Sequence, residues 1–242
     1  MIIDMSPEFV TVAMFIVVIA GLFFGHPVAL VLGGTAAIFA FFGWGPSGWY
    51  LFLGRAFDAT TNNILLAIPL FVLMAAFLSQ SEISEGLFEG MMYLFGPVNG
   101  GIALAVIAMC AIEAACTGII GASVVSMTLM AVPVMLNHGY DKRMACGTVA
   151  AGGVLSILIP PSIMLVMMAD QAGVSVGKLF AGAFIPGLVL TTLFFTYVLV
   201  FTWMRPHMGP ALPLAERSAL TVRQKTFLLL KNLVPPLALI FG

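Results

Sequence analysis

Two adjacent prolines, Pro160 and Pro161, interrupt an apolar run that extends over residues 143–170. Proline removes a backbone N–H group and clashes with the preceding helical turn, and the residue before a proline is pushed out of the helical region. The stretch around the pair reads GGVLSILIPPSIMLV and is also rich in glycine and serine. Taken alone, it is compatible with two structures: one span with a simple proline kink, or two half-helices separated by a break.

The composition places this interruption in a membrane. Hydrophobic residues make up 62% of the 242 residues, charged residues make up 8%, and the mean hydropathy is +1.15. A soluble domain of this length carries far more charge. In lipid, non-helical backbone persists only where it lines a cavity that protein encloses or water fills. The sequence therefore predicts an all-α integral membrane protein, and it has no basic stripe of the kind that binds nucleic acid.

Other apolar runs are close to the length that crosses a bilayer. They predict spans at residues 9–25, 27–43, 64–80 and 185–204, and the start of one more at about Thr226.

Between these spans the chain is more polar. The stretch 44–63 is predicted as an interfacial segment whose last four residues, Thr60-Thr61-Asn62-Asn63, cap the next span. Residues 175–183 predict a short amphipathic segment. Residues 82–97 predict an amphipathic helix on the membrane surface, with Glu82, Glu85 and Glu89 opposite an apolar face of Leu87, Phe88, Met91, Met92 and Phe95.

A second interruption precedes the proline pair. Residues 98–137 are too long for one span, yet their middle carries the small and hydroxyl residues CTGIIGAS instead of a polar loop. Two helices that meet at a tip inside the membrane, a re-entrant hairpin, explain both features. Two neighbouring interrupted segments rich in glycine and serine or threonine are typical of a transporter site at the membrane midplane. Beside this hairpin, a broken helix is favoured over a kink at Pro160-Pro161. Half-helix ends offer carbonyl groups to a cation and N–H groups to an anion.

The two interruptions supply the predicted binding residues. They are Thr117, Gly118, Gly121, Ser123, Gly152, Gly153, Ser156, Pro160, Pro161 and Ser162.

The remaining polar residues of the apolar segments give weaker predictions. Glu113 is either a functional intramembrane acid or a hairpin residue that faces a polar cavity or a neighbouring helix. Asp170 is predicted as a solvated acid at a helix end. The cysteines (Cys110, Cys116, Cys146) are predicted to pack and the histidines (His26, His138, His207) to lie at the interface, so a metal cluster is not expected.

Basic residues predict the topology, because lysine and arginine concentrate in cytoplasmic loops. Five of them lie around residues 205–225, which places this loop in the cytoplasm. Counting the predicted spans back from this loop places the hairpin entrance on the cytoplasmic side and the N-terminus outside. The N-terminal stretch lacks the features of a signal peptide, so the first apolar run is expected to be a retained span. The last run stops short at Gly242, so the chain is expected to end before its fold does.

Several stretches, in this order, resemble the large membrane permease subunit of TRAP transporters (tripartite ATP-independent periplasmic transporters). They extend from residue 26 to about 190 and read HPVALVLG, LLAIPLFVLMA, CTGIIGASVVSM, AVPVM, HGYDKRMACGTVAAGG, ILIPPSIMLV and AGVSVGKLFAGAFIPG. The resemblance implies the N-terminal half of an elevator-type transporter of the ion-transporter superfamily, with a re-entrant hairpin and a discontinuous transmembrane helix in each of two inverted repeats. The implied division is scaffold spans and an arm helix (1–97), the hairpin (98–137), the discontinuous helix with the following span (138–204), a cytoplasmic linker (205–225) and the start of the second repeat (226–242).

The resemblance also implies the function. It implies import of an organic acid, of the dicarboxylate or sugar-acid type, coupled to sodium and without any other cofactor. The implied partners are a periplasmic substrate-binding protein and a small four-helix membrane subunit, and the implied location is the bacterial inner membrane with several passes.

The site residues match the family pattern in part. Where many relatives read Ser-Gly-Ser at the hairpin tip, this chain has Thr117-Gly118-Ile119, and Ser123 replaces a frequent aspartate. At the broken helix, Gly152-Gly153 stands where relatives often have Ser-Ser, and Ser156-Ile157 stands where they often have Gly-Pro. Pro160-Pro161-Ser162 match the relatives directly. The oxygens left for sodium are those of Thr117, Ser123, Ser156 and Ser162. The alternatives are a non-transporting membrane scaffold and an intramembrane enzyme. The enzyme would need a nucleophile–base pair or a metal cluster, and the spans offer neither.

Overall fold

The structure is a computed structural model that describes residues 6–79, 81, 83–213 and 231–234. Every regular element among these residues is helical, as the composition predicts. The chain divides into two compact units, Met1–Leu66 and Ala67–Gly242. In chain order the elements are α1 (Pro7–Phe23), α2 (Val28–Trp44), α3 (Pro46–Thr61), α4 (Ala67–Ser79), α5 (Ile83–Phe95), α6 (Gly101–Thr117), α7 (Ile120–Asn137), α8 (Lys142–Leu158), α9 (Ile163–Ala172), α10 (Val176–Met204) and a 3-10 turn at Pro206–Met208.

Helices α1 and α2 form the predicted hairpin of the first unit. Ser6 caps α1, because its hydroxyl accepts a hydrogen bond from the Phe9 N–H at 3.4 Å. The turn to α2 contains Gly25, whose φ of 78° lies in the left-handed region that favours glycine. Both helices have 17 residues and are predominantly apolar, as the sequence predicts for these two runs.

The interfacial stretch predicted after α2 has no secondary structure assigned from the sequence, and residues 46–61 of it form the regular helix α3. Pro46 occupies its first turn, where a missing N–H costs nothing, and Gly48 allows the backbone of α3 to approach the Ala40 carbonyl of α2. The cap predicted at residues 60–63 is confirmed only for Asn62, whose side-chain Oδ1 accepts the Ile64 N–H at 2.9 Å and whose carbonyl accepts the Leu66 N–H at 3.2 Å. The Thr60 and Thr61 hydroxyls donate to the Phe57 carbonyl at 2.8 and 2.9 Å, inside the last turn of α3.

The amphipathic helix α5 contributes to the packed core of the second unit. Its buried residues Leu87, Phe88 and Met91 pack against α6, whereas Glu85 and Glu89 are exposed. The predicted separation of an apolar and an acidic face is therefore confirmed for these residues. Glu82 lies outside the described residues.

The predicted interruption of residues 98–137 is confirmed. Helix α6 ends at Thr117, α7 begins at Ile120, and between them Gly118 is left-handed (φ 59°) and Ile119 is extended. Below the tip, Tyr140 fixes the base of this helix pair: its buried hydroxyl accepts the Ile102 N–H at 3.0 Å. Burial raises the pKa of Tyr140 to about 12, so the phenol stays protonated at physiological pH.

The discontinuous helix is also present. Asp141 caps α8 by accepting the Arg143 N–H at 2.8 Å, and α8 packs against both α6 and α7. Residues 159–162 are not helical, and α9 starts at Ile163. Pro160 and Pro161 are joined by a cis peptide bond.

Helix α10 corrects one prediction, since the segments expected at 175–183 and 185–204 are a single helix of 29 residues. Pro186 lies inside it. An interior proline removes only one helical hydrogen bond, and neighbouring helices can support the chain at that point. Next to the proline, Gly187 packs on Ile159: a Cβ added at Gly187 would stand 3.1 Å from the Ile159 Cγ1 atom.

The first residues of the predicted linker fold back onto the unit. The Gly100 N–H donates to the Gly209 carbonyl at 2.8 Å, the Leu212 N–H donates to the Gly96 carbonyl at 3.0 Å, and Leu212 is buried. Of the predicted linker and second repeat, residues 214–230 and 235–242 lie outside the described part of the chain. Residues 231–234 are helical.

Candidate functional site

The tip of the hairpin touches the break of the discontinuous helix. A Cβ added at Gly118 would stand 2.9 Å from the Ile163 backbone nitrogen and 3.1 Å from the Ser162 Cα. Because real Cβ atoms hardly ever approach other atoms this closely, only glycine allows the two backbones to meet. The two interruptions, 44 positions apart from Gly118 to Ser162, therefore form one junction, as the sequence predicts.

Four helix ends converge at this junction. The C-termini of α6 and α8 carry partial negative charge from their free carbonyl groups, and the N-termini of α7 and α9 carry partial positive charge from their free N–H groups. Pro160 and Pro161 have no N–H, so the Ser156 and Ile157 carbonyls lack their helical partners. The junction therefore presents acceptors for a cation and donors for an anion within one small region.

A buried hydrogen bond links helix α7 of the hairpin to helix α8 beside the junction. The Ser156 hydroxyl donates to the Ser123 hydroxyl at 2.9 Å, and both residues are at most 1% exposed. Ser123 lies in the first turn of α7, and Ser156 lies in the last turn of α8.

Ser162 has the most informative side chain of the break. It is 0% exposed, and its hydroxyl has no hydrogen-bond partner among the described residues. It precedes α9 at the N-cap position but makes no side-chain cap bond there. Leaving a buried hydroxyl unpaired costs roughly 1–3 kcal/mol, so the Ser162 hydroxyl is available to a ligand that enters the break.

The other predicted residues have mixed positions. Gly152 and Gly153 are helix contacts below the junction: an added Cβ at Gly152 would stand 2.6 Å from the Cys110 Sγ, and Gly153 packs on Val124. Gly121 is exposed with open space around it. The Thr117 backbone ends α6, and its side chain lies outside the described atoms.

Neither acid of the apolar segments takes part in the junction contacts described above. Glu113 is 2% exposed, and its carboxyl group lies beside the Ser84 hydroxyl of α5. The structure thus favours the prediction that Glu113 faces a neighbouring helix. Asp170 accepts a hydrogen bond from the exposed Gln171 side chain at 3.2 Å, as expected for an acid at a helix end.

The donor set of the junction consists of hydroxyl and carbonyl oxygens. Among the described residues no three histidine, cysteine, aspartate or glutamate side chains cluster in a way that could hold a metal ion. Oxygen ligands of this kind suit a hard alkali cation, and unwound carbonyls in broken transmembrane helices are typical sodium ligands.

Comparison with known protein families identifies the family of this protein. A family model described as the DctM component of the tripartite ATP-independent periplasmic transporter matches residues 15–242, nearly the whole chain. The chain belongs to this family. DctM-family proteins are transporter components, so the intramembrane enzyme is excluded.

Curated relatives of the DctM family carry different substrate names. The C4-dicarboxylate TRAP transporter large permease of Vibrio cholerae is 33% identical over 183 residues, 73% of this chain and 39% of its own length. The permease of the same name from Pseudomonas aeruginosa is 34% identical over 66% of this chain and 37% of its length. The ectoine TRAP transporter large permease of Halomonas elongata is 29% identical over 58% of this chain and 33% of its length. The matched part of this chain thus spans less than two fifths of these three relatives.

One part of the junction was missed by sequence reasoning. Gly187 of α10 packs on Ile159 at the start of the break, so α10 forms a further wall of the junction in this DctM-family chain. The available signal was the glycine of the IPG stretch, one residue after Pro186. A glycine inside an apolar helix often marks a close approach between helices.

Proposed function

We propose that this chain forms the first half of the membrane permease of a TRAP-type secondary transporter that imports an organic acid together with sodium. The observation that carries the proposal is the buried, unpaired Ser162 hydroxyl at the point where the hairpin tip meets the broken helix. Family membership supports transport, and the names of the relatives point to small organic solutes, dicarboxylates among them.

Sodium binds at the junction in this proposal. The Ser162 hydroxyl and the Ser156 and Ile157 carbonyls supply oxygen ligands, and the Ser123–Ser156 pair supplies further hydroxyls. Thr117 remains a predicted ligand from its place in the sequence alone. The C-terminal ends of α6 and α8 add negative potential. The N-terminal ends of α7 and α9 attract a substrate carboxylate beside the cation, so cation and anion favour each other's binding.

The hairpin and the broken helix move together as the transport unit of an elevator. Three contacts support this rigid pairing: Gly118 on Ser162, Ser156 on Ser123, and Gly152 on Cys110. Helices α1 and α2 belong to the scaffold, and their separate compact unit is compatible with that role. The partners are a periplasmic binding protein that delivers the substrate and a small four-helix membrane subunit, in the bacterial inner membrane.

The test is uptake of a labelled dicarboxylate into vesicles that contain the complete permease and its small subunit. We expect uptake to require a sodium gradient and the binding protein. In Ser162→Ala, the sodium concentration at half-maximal uptake should rise by at least tenfold, because one ligand to a charged group contributes on the order of 1.5 kcal/mol.

Ser175→Ala is the matched control, because Ser175 is exposed at the start of α10 and makes no side-chain cap bond. It should leave the sodium dependence unchanged. An unaltered sodium dependence in Ser162→Ala would remove the junction as the sodium site. A wild-type permease that transports none of the tested acids under any gradient would instead favour the non-transporting scaffold.

A further inference from the structure

A groove separates α8 and α10 at the end of the second unit that lies away from the junction. Its volume is about 410 Å³, and α6 forms its floor. We call it the α8–α10 groove and define it by Arg143, Gly147, Ala151, Phe194, Phe201 and Arg205. Along α8, Arg143 lies 13 residues before Ser156, or about 20 Å at the helical rise of 1.5 Å per residue. The groove is therefore distinct from the proposed sodium site.

The length of the groove matches one leaflet of a bilayer. From Arg143 to Ala151 the groove follows α8 for about 12 Å, and from Arg205 to Phe194 it follows α10 for about 17 Å. Half of a hydrocarbon core of roughly 30 Å is about 15 Å. The groove thus extends from the basic end of these helices to about the depth that one acyl chain reaches.

The two ends of the groove differ in chemistry. Its deep part is formed by Ala151 and Phe194 together with Ile107 of α6, all apolar. Its outer end is formed by Arg143, in the first turn of α8, and Arg205, directly after α10. A site that is cationic at the membrane surface and apolar below it has the polarity of an anionic phospholipid.

The arginine side chains are the cationic groups that line the groove. Both arginines are exposed, and neither makes an ion pair with any carboxylate of the described residues. Asp141, the acid nearest to Arg143 in sequence, accepts the Arg143 backbone N–H through its Oδ1 at 2.8 Å. The Arg205 guanidinium lies 5.6 Å from the centre of the Phe201 ring, which holds it above the apolar part of the groove. Guanidinium groups bind phosphate oxygens in a bidentate geometry.

We propose that the α8–α10 groove binds one anionic phospholipid, with the phosphate between Arg143 and Arg205 and an acyl chain along Ala151 and Phe194. Basic pockets between transmembrane helices are typical sites for anionic head groups. The positive-inside rule places these arginines in the cytoplasmic leaflet. The bound lipid fills the space between α8 and α10 and so supports the helix that carries the break.

The first test measures lipid retention by native mass spectrometry of the complete permease, titrated with phosphatidylglycerol or phosphatidylcholine of identical acyl chains. We expect one phosphatidylglycerol to bind more tightly than phosphatidylcholine. The double variant Arg143→Gln/Arg205→Gln should bind phosphatidylglycerol roughly 30-fold more weakly, since each basic residue near an anionic lipid contributes roughly fivefold.

Arg55→Gln/Lys178→Gln removes two exposed cations outside the groove and should retain the wild-type affinity. Equal affinity of the wild type for both lipids would overturn the proposal. An equal loss in the control variant would also overturn it, because the effect would then be one of net charge.

A second variant tests the acyl chain separately from the head group. Gly147 lines the groove, and a Cβ added there meets no atom within 4 Å, so Gly147→Leu fills the groove without a backbone clash. Leucine is also the better helix former. We expect this variant to lose phosphatidylglycerol retention while keeping its fold by circular dichroism. Gly182→Leu is the control, because Gly182 of α10 is equally open and lies outside the groove. Wild-type retention in Gly147→Leu would overturn insertion of the chain.

Discussion

At the scale of single residues, two independent features require glycine at position 118. Its φ of 59° is strained for any side chain, and the space for a Cβ is already taken by Ser162 and Ile163. We expect Gly118→Ala to lower the free energy of unfolding by about 1–3 kcal/mol, because both the left-handed backbone and the close contact oppose alanine. Thermal unfolding in detergent measures the change. Gly182→Ala, at an open helical position, should be neutral or stabilising, and an equal loss there would contradict the argument.

The buried Glu113 carboxyl group gives a second residue-scale prediction. It lies beside Ser84 and joins the hairpin helix α6 to the arm helix α5. Glu113→Ala should destabilise the protein by about 1–3 kcal/mol, because it leaves buried polar atoms unpaired and opens a cavity. Glu113→Gln keeps the size and hydrogen-bonding capacity, so it should lose less. If thermal unfolding shows equal losses for both variants, the amide does not replace the carboxyl group, and the argument from size and hydrogen-bonding capacity is contradicted.

At the scale of elements, Pro160 and Pro161 cause the break between α8 and α9. Replacing both with alanine restores two backbone N–H groups, which can then bond the Ser156 and Ile157 carbonyls. We expect a continuous helix, a protein at least as stable by thermal unfolding, and loss of sodium-dependent uptake. The single variant Pro186→Ala in the unbroken helix α10 is the control and should keep uptake. A Pro160→Ala/Pro161→Ala permease that transports normally would show that the break is not part of the site.

The sequence predicts an element well where the residues that determine it act locally on the backbone, and less well where tertiary packing determines it. The interruption of 98–137 was located from the length of the run and from the small and hydroxyl residues at its middle. The interruption at 159–162 was located because Pro160 and Pro161 act on the backbone locally, whatever packs around them. A single proline is ambiguous, since Pro186 lies within one continuous helix. The sequence left the secondary structure of α3 open because its residues are not apolar throughout, and its close packing on α2 depends on Gly48, a tertiary contact. The contact of Gly118 with Ile163 and of Gly187 with Ile159 likewise depends on how distant helices pack, which spacing alone does not specify.

At the scale of the whole molecule, the elevator proposal requires that the hairpin and the discontinuous helix move as one body. Helix α8 packs on both hairpin helices, and Gly153 of α8 approaches Val124 of α7 so closely that an added Cβ would lie 3.5 Å from the Val124 Cβ. This separation is within the range of disulfide bonds. The double variant Val124→Cys/Gly153→Cys, with the exposed Cys146 replaced by serine, can therefore lock α7 to α8.

We expect the oxidised double variant to keep its sodium-dependent uptake, because the disulfide joins two elements that do not move relative to each other. Each single-cysteine variant serves as a control for the substitutions themselves, and reduction should change nothing. Mass spectrometry of the peptide pair measures the extent of cross-linking. Uptake that is lost on oxidation and restored by a reductant would show that hairpin and broken helix separate during transport, and a gate within the transport unit would replace the elevator.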